Sequence, residues 1–251
     1  LRRLLRRLEA ACESGEVTLT ALDAGPEVVL HLKSDPGLED REALAGFADA
    51  ERLVRLAIAV DGASAEPVAA RLPPVLTVAG VSLTLPPAAF LQATAEGEAR
   101  LQAFVGEHLS GAKKVVDLFA GLGTLSLGLA AAGVSVRAFD GAAELIGACR
   151  HPHIQAVRRD LQQSPLQPDE LEGCDAVILD PPRAGALAQA EALAASAVPR
   201  LVYASCEPAS FARDAAVLAQ GGYRLIALEA VDQFLFAPDV ELAAGFVRDG
   251  T

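Results

Sequence analysis

Methionine is missing from all 251 residues, position 1 included, and the chain opens in mid-pattern on Leu1-Arg2-Arg3, so it reads as a fragment. Long apolar runs are missing too. No stretch of about 18 residues lacks a charge or a turn signal, which excludes a membrane-spanning helix. Cysteine is scarce: Cys12, Cys149, Cys174 and Cys206 share no short spacing. That excludes a disulfide framework or an internal zinc site and makes a reduced, cytoplasmic compartment the expectation. The four histidines, His31, His108, His151 and His153, are too scattered for a metal centre, so no metal is expected within the chain. Positive charge is outnumbered, 21 Lys and Arg against 33 Asp and Glu, for a net charge of −12. Such a chain does not coat nucleic acid by charge alone, although a local basic groove is compatible with it. Repeats and low-complexity tracts are absent. A hydrophobic content of 52% supplies ample Leu, Val and Ala for a sizeable core and excludes a disordered chain.

The pattern changes once along the chain. Leu1, Leu4, Leu5 and Leu8 fall on one face of an opening helix with four arginines around it. A solvated face explains that charge better than an RNA or membrane contact. Two alternating runs, Glu16–Leu22 and Glu27–Lys33, are joined by Asp-Ala-Gly-Pro in the manner of a hairpin. A short helix is expected within the polar segment 34–52, then strand-like runs at 53–60 and 75–84. Residues 1–85 therefore form a small α+β module rich in antiparallel strands, and residues 86–251 a second domain. In the second domain a helix is expected over Ala93–Leu109, then apolar strands at Lys114–Phe119, Ser135–Phe139, Ala176–Leu179 and Leu201–Ala204 alternating with Ala-rich helices. That alternation implies an α/β fold, a doubly wound, mainly parallel sheet of the Rossmann-like kind.

Three segments carry chemistry. The first, Val115-Val116-Asp117-Leu118-Phe119-Ala120-Gly121-Leu122-Gly123-Thr124, runs from a strand through a glycine turn into a helix. Glycines there let a ligand approach the backbone, beside the free N–H groups of a helix start. A dinucleotide fingerprint needs a third glycine where Ser126 stands. Asp117 before the glycines instead suits a cationic cofactor such as S-adenosyl-L-methionine. Asp140, at the end of the next strand, can accept from both ribose hydroxyls. Asp160, after the third strand, can meet an adenine amino group, although a surface acid there is nearly as good a reading. The second segment, Asp180-Pro181-Pro182-Arg183, puts a carboxylate at the carboxyl end of a buried strand, where open α/β sheets bind ligands. Acid-Pro-Pro at that place is typical of methyltransferases acting on a base. The third is Ser205-Cys206-Glu207-Pro208. Cys149 and Cys174 fit small buried apolar positions. Cys206 follows a strand at the same sheet edge, which favours an exposed, nucleophilic thiol.

These segments together resemble the RNA uracil-5-methyltransferase family, the bacterial enzymes that make 5-methyluridine in tRNA and 23S ribosomal RNA. The resemblance rests on Asp-Leu-Phe-Ala-Gly-Leu-Gly, Asp-Pro-Pro-Arg-Ala-Gly, Ser-Cys-Glu-Pro-Ala-Ser-Phe-Ala-Arg-Asp, Gly-Gly-Tyr-Arg-Leu and the late Val-Asp-Gln-Phe…Val-Glu, and covers about residues 86–248. It implies a class I methyltransferase domain using S-adenosyl-L-methionine, with structured RNA as partner, ribosomal before transfer RNA. Cys206 matches the family's nucleophile and Glu241 its general base. Gln92, Phe119, Gly121, Gly123, Thr124, Asp140, Asp160 and Asp180 become the expected cofactor-contacting residues. The chain departs from the family pattern at Asp140 (usually Glu), Thr124 (Asn), Glu207 (Asn) and Asp239 (His). Family members commonly carry an upstream RNA-binding domain and a cysteine cluster holding a [4Fe–4S] centre; neither is visible in this chain, so the resemblance leaves a cluster to the full-length protein and none is expected here. A monomer is the expected state.

Other readings compete. An RNA cytosine-5-methyltransferase usually has a second cysteine in the Pro-Pro motif, where this chain has Arg183. A non-catalytic RNA-binding scaffold could retain the fold. An NAD-dependent oxidoreductase is opposed by Ser126 and by the cysteine–glutamate pair.

Overall fold

The computed structural model describes residues 15–234 and 239–248. The opening Leu/Arg pattern and Cys12 lie outside the described residues. The chain divides into two compact units. One holds the described residues up to Thr77 with Ser82–Phe90, the other Val78–Val81 and the described residues from Leu91 on.

In the first unit, β1 (Gly15–Leu22) and β2 (Gly25–Leu32) form the expected hairpin, with Leu22 opposite Gly25 across Asp23-Ala24. Helix α1 (Leu38–Ala50) then crosses over, so β3 (Arg55–Val60) pairs parallel to β2, and β4 (Glu66–Ala70) adds antiparallel to β3. The sheet is therefore mixed. Leu44 and Ala48 of α1 close a small core over Val28, Leu30, Leu56 and Ile58. The strand-like run 75–84 is two strands, β5 (Val75–Val78) and β6 (Val81–Thr84). Ala79 and Gly80 between them both have positive φ, the signature of a tight hairpin turn.

The second unit begins with α2 (Ala95–His108), capped by the Thr94 hydroxyl, which accepts from the Gly97 N–H at 3.0 Å. There follow β7 (Lys114–Leu118), α3 (Thr124–Ala131), β8 (Ser135–Asp140), α4 (Ala143–Ala148), β9 (Ile154–Arg158), β10 (Ala176–Leu179), α5 (Leu187–Ala194), β11 (Arg200–Ser205), α6 (Pro208–Gln220), β12 (Tyr223–Val231) and β13 (Glu241–Arg248). The seven strands lie in the order β12-β13-β11-β10-β7-β8-β9. The five from β9 to β11 are parallel; β13 runs antiparallel to β11 and to β12. This is the expected doubly wound α/β sheet, with an apolar core on each face. The chain moves outward from β7 through β8 to β9, then returns to β10 beside β7 and moves the other way. Loops after β7 and β10 therefore diverge and open a crevice at the carboxyl edge. No described helix is long and apolar enough to cross a membrane.

Candidate active site at the carboxyl edge of the sheet

The loop after β7 turns on three consecutive odd positions with positive φ: Phe119 (62°), Gly121 (53°) and Gly123 (76°). Phe119 is the only one with a side chain, and a non-glycine residue in that region marks a strained backbone held by its surroundings. The two glycines differ in purpose. A Cβ built on Gly121 meets nothing within 4 Å, whereas one on Gly123 comes to 2.5 Å from Cys149 Sγ. Gly121 leaves space for a ligand; Gly123 is required by packing. Asp140 is tied to this loop: its two carboxylate oxygens accept the Gly121 N–H at 2.9 Å and the Ala142 N–H at 2.7 Å. Thr124 opens α3, its hydroxyl engaged by Glu98 and its carbonyl by the Gln102 amide at 3.1 Å.

Behind the loop, Asp117 is buried at 1% exposure. Ser126, which breaks the dinucleotide fingerprint, donates to Asp117 Oδ2 at 2.5 Å. Burial, followed by the charges of Asp180 and Asp140, pushes the Asp117 carboxyl up to about 7. Asp180, half-buried at the end of β10, is also pushed up to about 7, by burial and then by Asp140. Its loop is anchored from below by buried Asp214. That carboxylate accepts the Tyr203 hydroxyl and the Ala186 N–H, both at 2.7 Å, and Arg213 Nε at 2.8 Å. Gly185 has no room for a side chain, because a Cβ would lie 2.6 Å from Asp214 Oδ2.

Cys206 sits between the end of β11 and the start of α6, half-buried. Glu207 caps that helix by accepting the Ala209 N–H at 3.2 Å, and Pro208 follows at its first position, so the chain turns sharply just after the thiol. The β11–β13 register brings the late glutamate here. Ser205 pairs with Leu242, so one step further along each strand are Cys206 and Glu241. Glu241 is 4% exposed, and burial followed by Asp180 pushes its carboxyl up to about 7. The Cys206 thiol is raised by burial and then by Glu241, while Arg183 pulls the other way. Arg183 in turn forms an ion pair with Asp239 at 2.9 Å.

Gln92 also joins this unit's fabric: its Oε1 accepts from buried Gln233 at 2.9 Å. Asp160 is exposed and spends Oδ1 on the N–H groups of Gln162 and Gln163, at 3.0 and 3.2 Å. The structure thus groups Asp117, Asp140, Asp180, Cys206 and Glu241 electrostatically at one sheet edge. Glu98, Asp214 and Gln233 were not singled out by sequence reasoning. The last two lie inside motifs that carry the resemblance, which was their one visible signal; Glu98 had none.

No family model matches the chain. Individual relatives do. An uncharacterised RNA methyltransferase of Mesorhizobium japonicum is 36% identical over 97% of this chain and 60% of its own length. The 23S rRNA (uracil(1939)-C(5))-methyltransferase RlmD of Chromohalobacter salexigens is 36% identical over 99% of this chain and 55% of its own. This chain is a homologue of RNA methyltransferases. It spans less than two thirds of the length of either relative. Among solved structures, the Pyrococcus abyssi tRNA (uracil-54, C5)-methyltransferase in complex with S-adenosyl-L-homocysteine superposes with a TM-score of 0.76 at 22% identity, covering 98% of this chain and 66% of that one. The homologue therefore has the fold of that S-adenosyl-L-methionine-type methyltransferase, as the sequence reading expected.

Proposed function

We propose that this chain carries the methyl-transfer machinery of an S-adenosyl-L-methionine-dependent RNA uracil C5-methyltransferase, acting on 23S ribosomal RNA in preference to tRNA. The observation that carries the reading is the juxtaposition of Cys206 and Glu241 across β11 and β13, beside Asp180 and the glycine loop. The ribosomal preference is supported by the RlmD relative, matched over nearly the whole chain.

The site's residues fit the cofactor. Gly121 leaves open space beside the loop, and the charged groups acting on Asp117 and Asp180 are acids, which suits a cation. Asp140, Phe119, Gly121, Gly123, Thr124, Gln92, Asp160 and Asp180 would hold it. When bound, it supplies a methyl group activated on a sulfonium. Carbon 5 of uracil is a poor nucleophile by itself. The Cys206 thiolate adds to carbon 6 and makes carbon 5 electron-rich enough to take the methyl group. Glu241 then removes the carbon-5 proton, and Cys206 leaves carbon 6. A carboxylate with its ordinary affinity would hold that proton weakly; one raised to about 7 is matched to the task. The target uridine must leave its stack to reach so buried a glutamate.

The test is incubation with tritiated S-adenosyl-L-methionine and unmodified RNA, comparing the parent with Cys206→Ala and Glu241→Gln. Label recovered as 5-methyluridine with the parent, none with Cys206→Ala, and a covalent RNA adduct with Glu241→Gln are the expected results. Label in another nucleoside, or undiminished transfer by Cys206→Ala, overturns the reading.

A further inference from the structure

Gln233 is a buried polar side chain just past the end of β12, where Val231 pairs with Glu241. Its carboxamide lies against the start of α2. A Cβ built on Gly97, in the first turn of that helix, would come to 2.4 Å from Gln233 Oε1 and 2.5 Å from its Cδ. Gly97 does not have the positive φ that would by itself call for glycine, so its missing side chain serves to admit Gln233. The same turn of α2 carries Glu98, which bonds to the Thr124 hydroxyl directly after the glycine loop.

The neighbours of Gln233 fix which way its carboxamide faces. The Thr94 backbone N–H, 3.4 Å away, can only donate, so it meets Gln233 Oε1. The free N–H groups and positive end of a helix start favour an oxygen there as well. Gln233 Nε2 is thereby left to donate to Gln92, at 2.9 Å, and Gln92 has to answer with Oε1. The N–H groups of Gln92 Nε2, on a half-buried side chain, then have no partner among the described residues. An untethered carboxamide can turn over and offer oxygen or nitrogen; this one is held as a donor.

We propose that Gln233 is a positioning residue, which holds the Gln92 carboxamide with its N–H groups outward so that Gln92 recognises a hydrogen-bond acceptor of the cofactor. The inference rests on the reading of Gln92 as a residue that would hold S-adenosyl-L-methionine, and adds the polarity that Gln92 presents and the group that sets it. Gln233 is 5% exposed, so it acts through Gln92 and not on the ligand.

A double-mutant cycle separates this role from general support of the fold. Isothermal titration calorimetry would measure S-adenosyl-L-homocysteine affinity for the parent, Gln92→Ala, Gln233→Met and the double variant. Methionine keeps the length of the side chain but has no N–H to give Gln92. Each single variant should weaken binding by about three- to tenfold, the range of one ordinary hydrogen bond, and the double variant no further than Gln92→Ala alone. Gly97→Ala probes the same link from the helix side: its methyl group displaces the Gln233 carboxamide, and it should weaken binding in the parent but not beside Gln92→Ala. Losses that add, or no loss for any one of the single variants, overturn the proposal while leaving the methyltransferase reading intact. A parent chain that does not bind S-adenosyl-L-homocysteine overturns both.

Discussion

Asp117, Asp180 and Glu241 share one property: burial, and then the charge of a neighbouring aspartate, raises each carboxyl to about 7. In the unfolded chain such groups lose their proton near pH 4. Between about pH 4 and 7 the folded state therefore binds more protons than the unfolded one, and stability falls as pH rises through that window. Thermal unfolding of the ligand-free chain should show a lower Tm at pH 7.5 than at pH 5.5. Asp117→Asn should flatten that dependence and raise the Tm at pH 8, because no charge then has to be buried. The same variant should bind S-adenosyl-L-homocysteine poorly, a site whose strain serves its ligand. Activity should show the opposite trend with pH. Glu241 accepts a proton only once ionised, and the raised Cys206 thiol must become a thiolate, so methyl transfer should climb from pH 6 to pH 9. A rate that falls across that range would contradict both roles. None of these shifts is visible in the sequence, where Asp117 and Glu96 are simply two acids; depth inside the fold separates them.

At the scale of elements, the glycine loop and the β11–α6 corner are local designs, and local designs are what a sequence displays best. The strand, the two glycines and the helix start were all legible from residue types. What each glycine is for was not, because Cys149 approaches Gly123 from α4. Gly123→Ala should destabilise the fold by about 1–3 kcal/mol in urea titrations, through overpacking and a strained φ. Gly121→Ala should cost about 1 kcal/mol for its φ alone. Its larger effect should appear in cofactor affinity, since the added methyl group enters the open space. If the two variants behave alike, the division of labour is wrong. The hairpin over 75–84 shows the limit of pattern reading: Ala79-Gly80 carries no Asn-Gly or Asp-Gly signal, and the alternation continues through the turn. The two antiparallel strands β12 and β13 left no clear trace either. β12 is an edge strand that exposes Leu225, Ile226 and Leu228, so its periodicity does not follow a buried face.

Over the whole molecule, the first unit rests on a feature that looks ordinary in sequence. Glu27 and Arg55 sit opposite each other on parallel β2 and β3, both buried, and form an ion pair; Arg55 also donates to the Leu85 carbonyl at 3.0 Å. Removing one partner leaves a buried charge alone. Glu27→Gln should lower stability by about 3–5 kcal/mol, whereas a joint change to Leu and Met at the two positions should recover most of it. Urea midpoints of the single and double variants would decide. The acidic balance, −12 overall, has its own consequence. Binding of RNA as proposed above should depend only shallowly on salt, because so acidic a chain neutralises few phosphates. A steep dependence would contradict that expectation and point to a local basic groove.

By itself the sequence determined the elements whose causes are local: the hairpin of β1 and β2, the alternation of apolar strands and Ala-rich helices, and the glycine turn. It also exposed the strand-end placement of Asp140, Asp180 and Cys206, because a chemical group at the end of an apolar run needs no partner to be recognised. Only the tertiary structure decided which distant residues meet. Cys206 and Glu241 lie in separate motifs, and the antiparallel register of β11 and β13 sets them side by side. Asp117 and Glu98 each keep one buried carboxylate oxygen without a hydrogen-bond partner, a state that only the folded chain creates. Burial, register and the sum of neighbouring charges are properties of the assembled fold, and no window of sequence contains them.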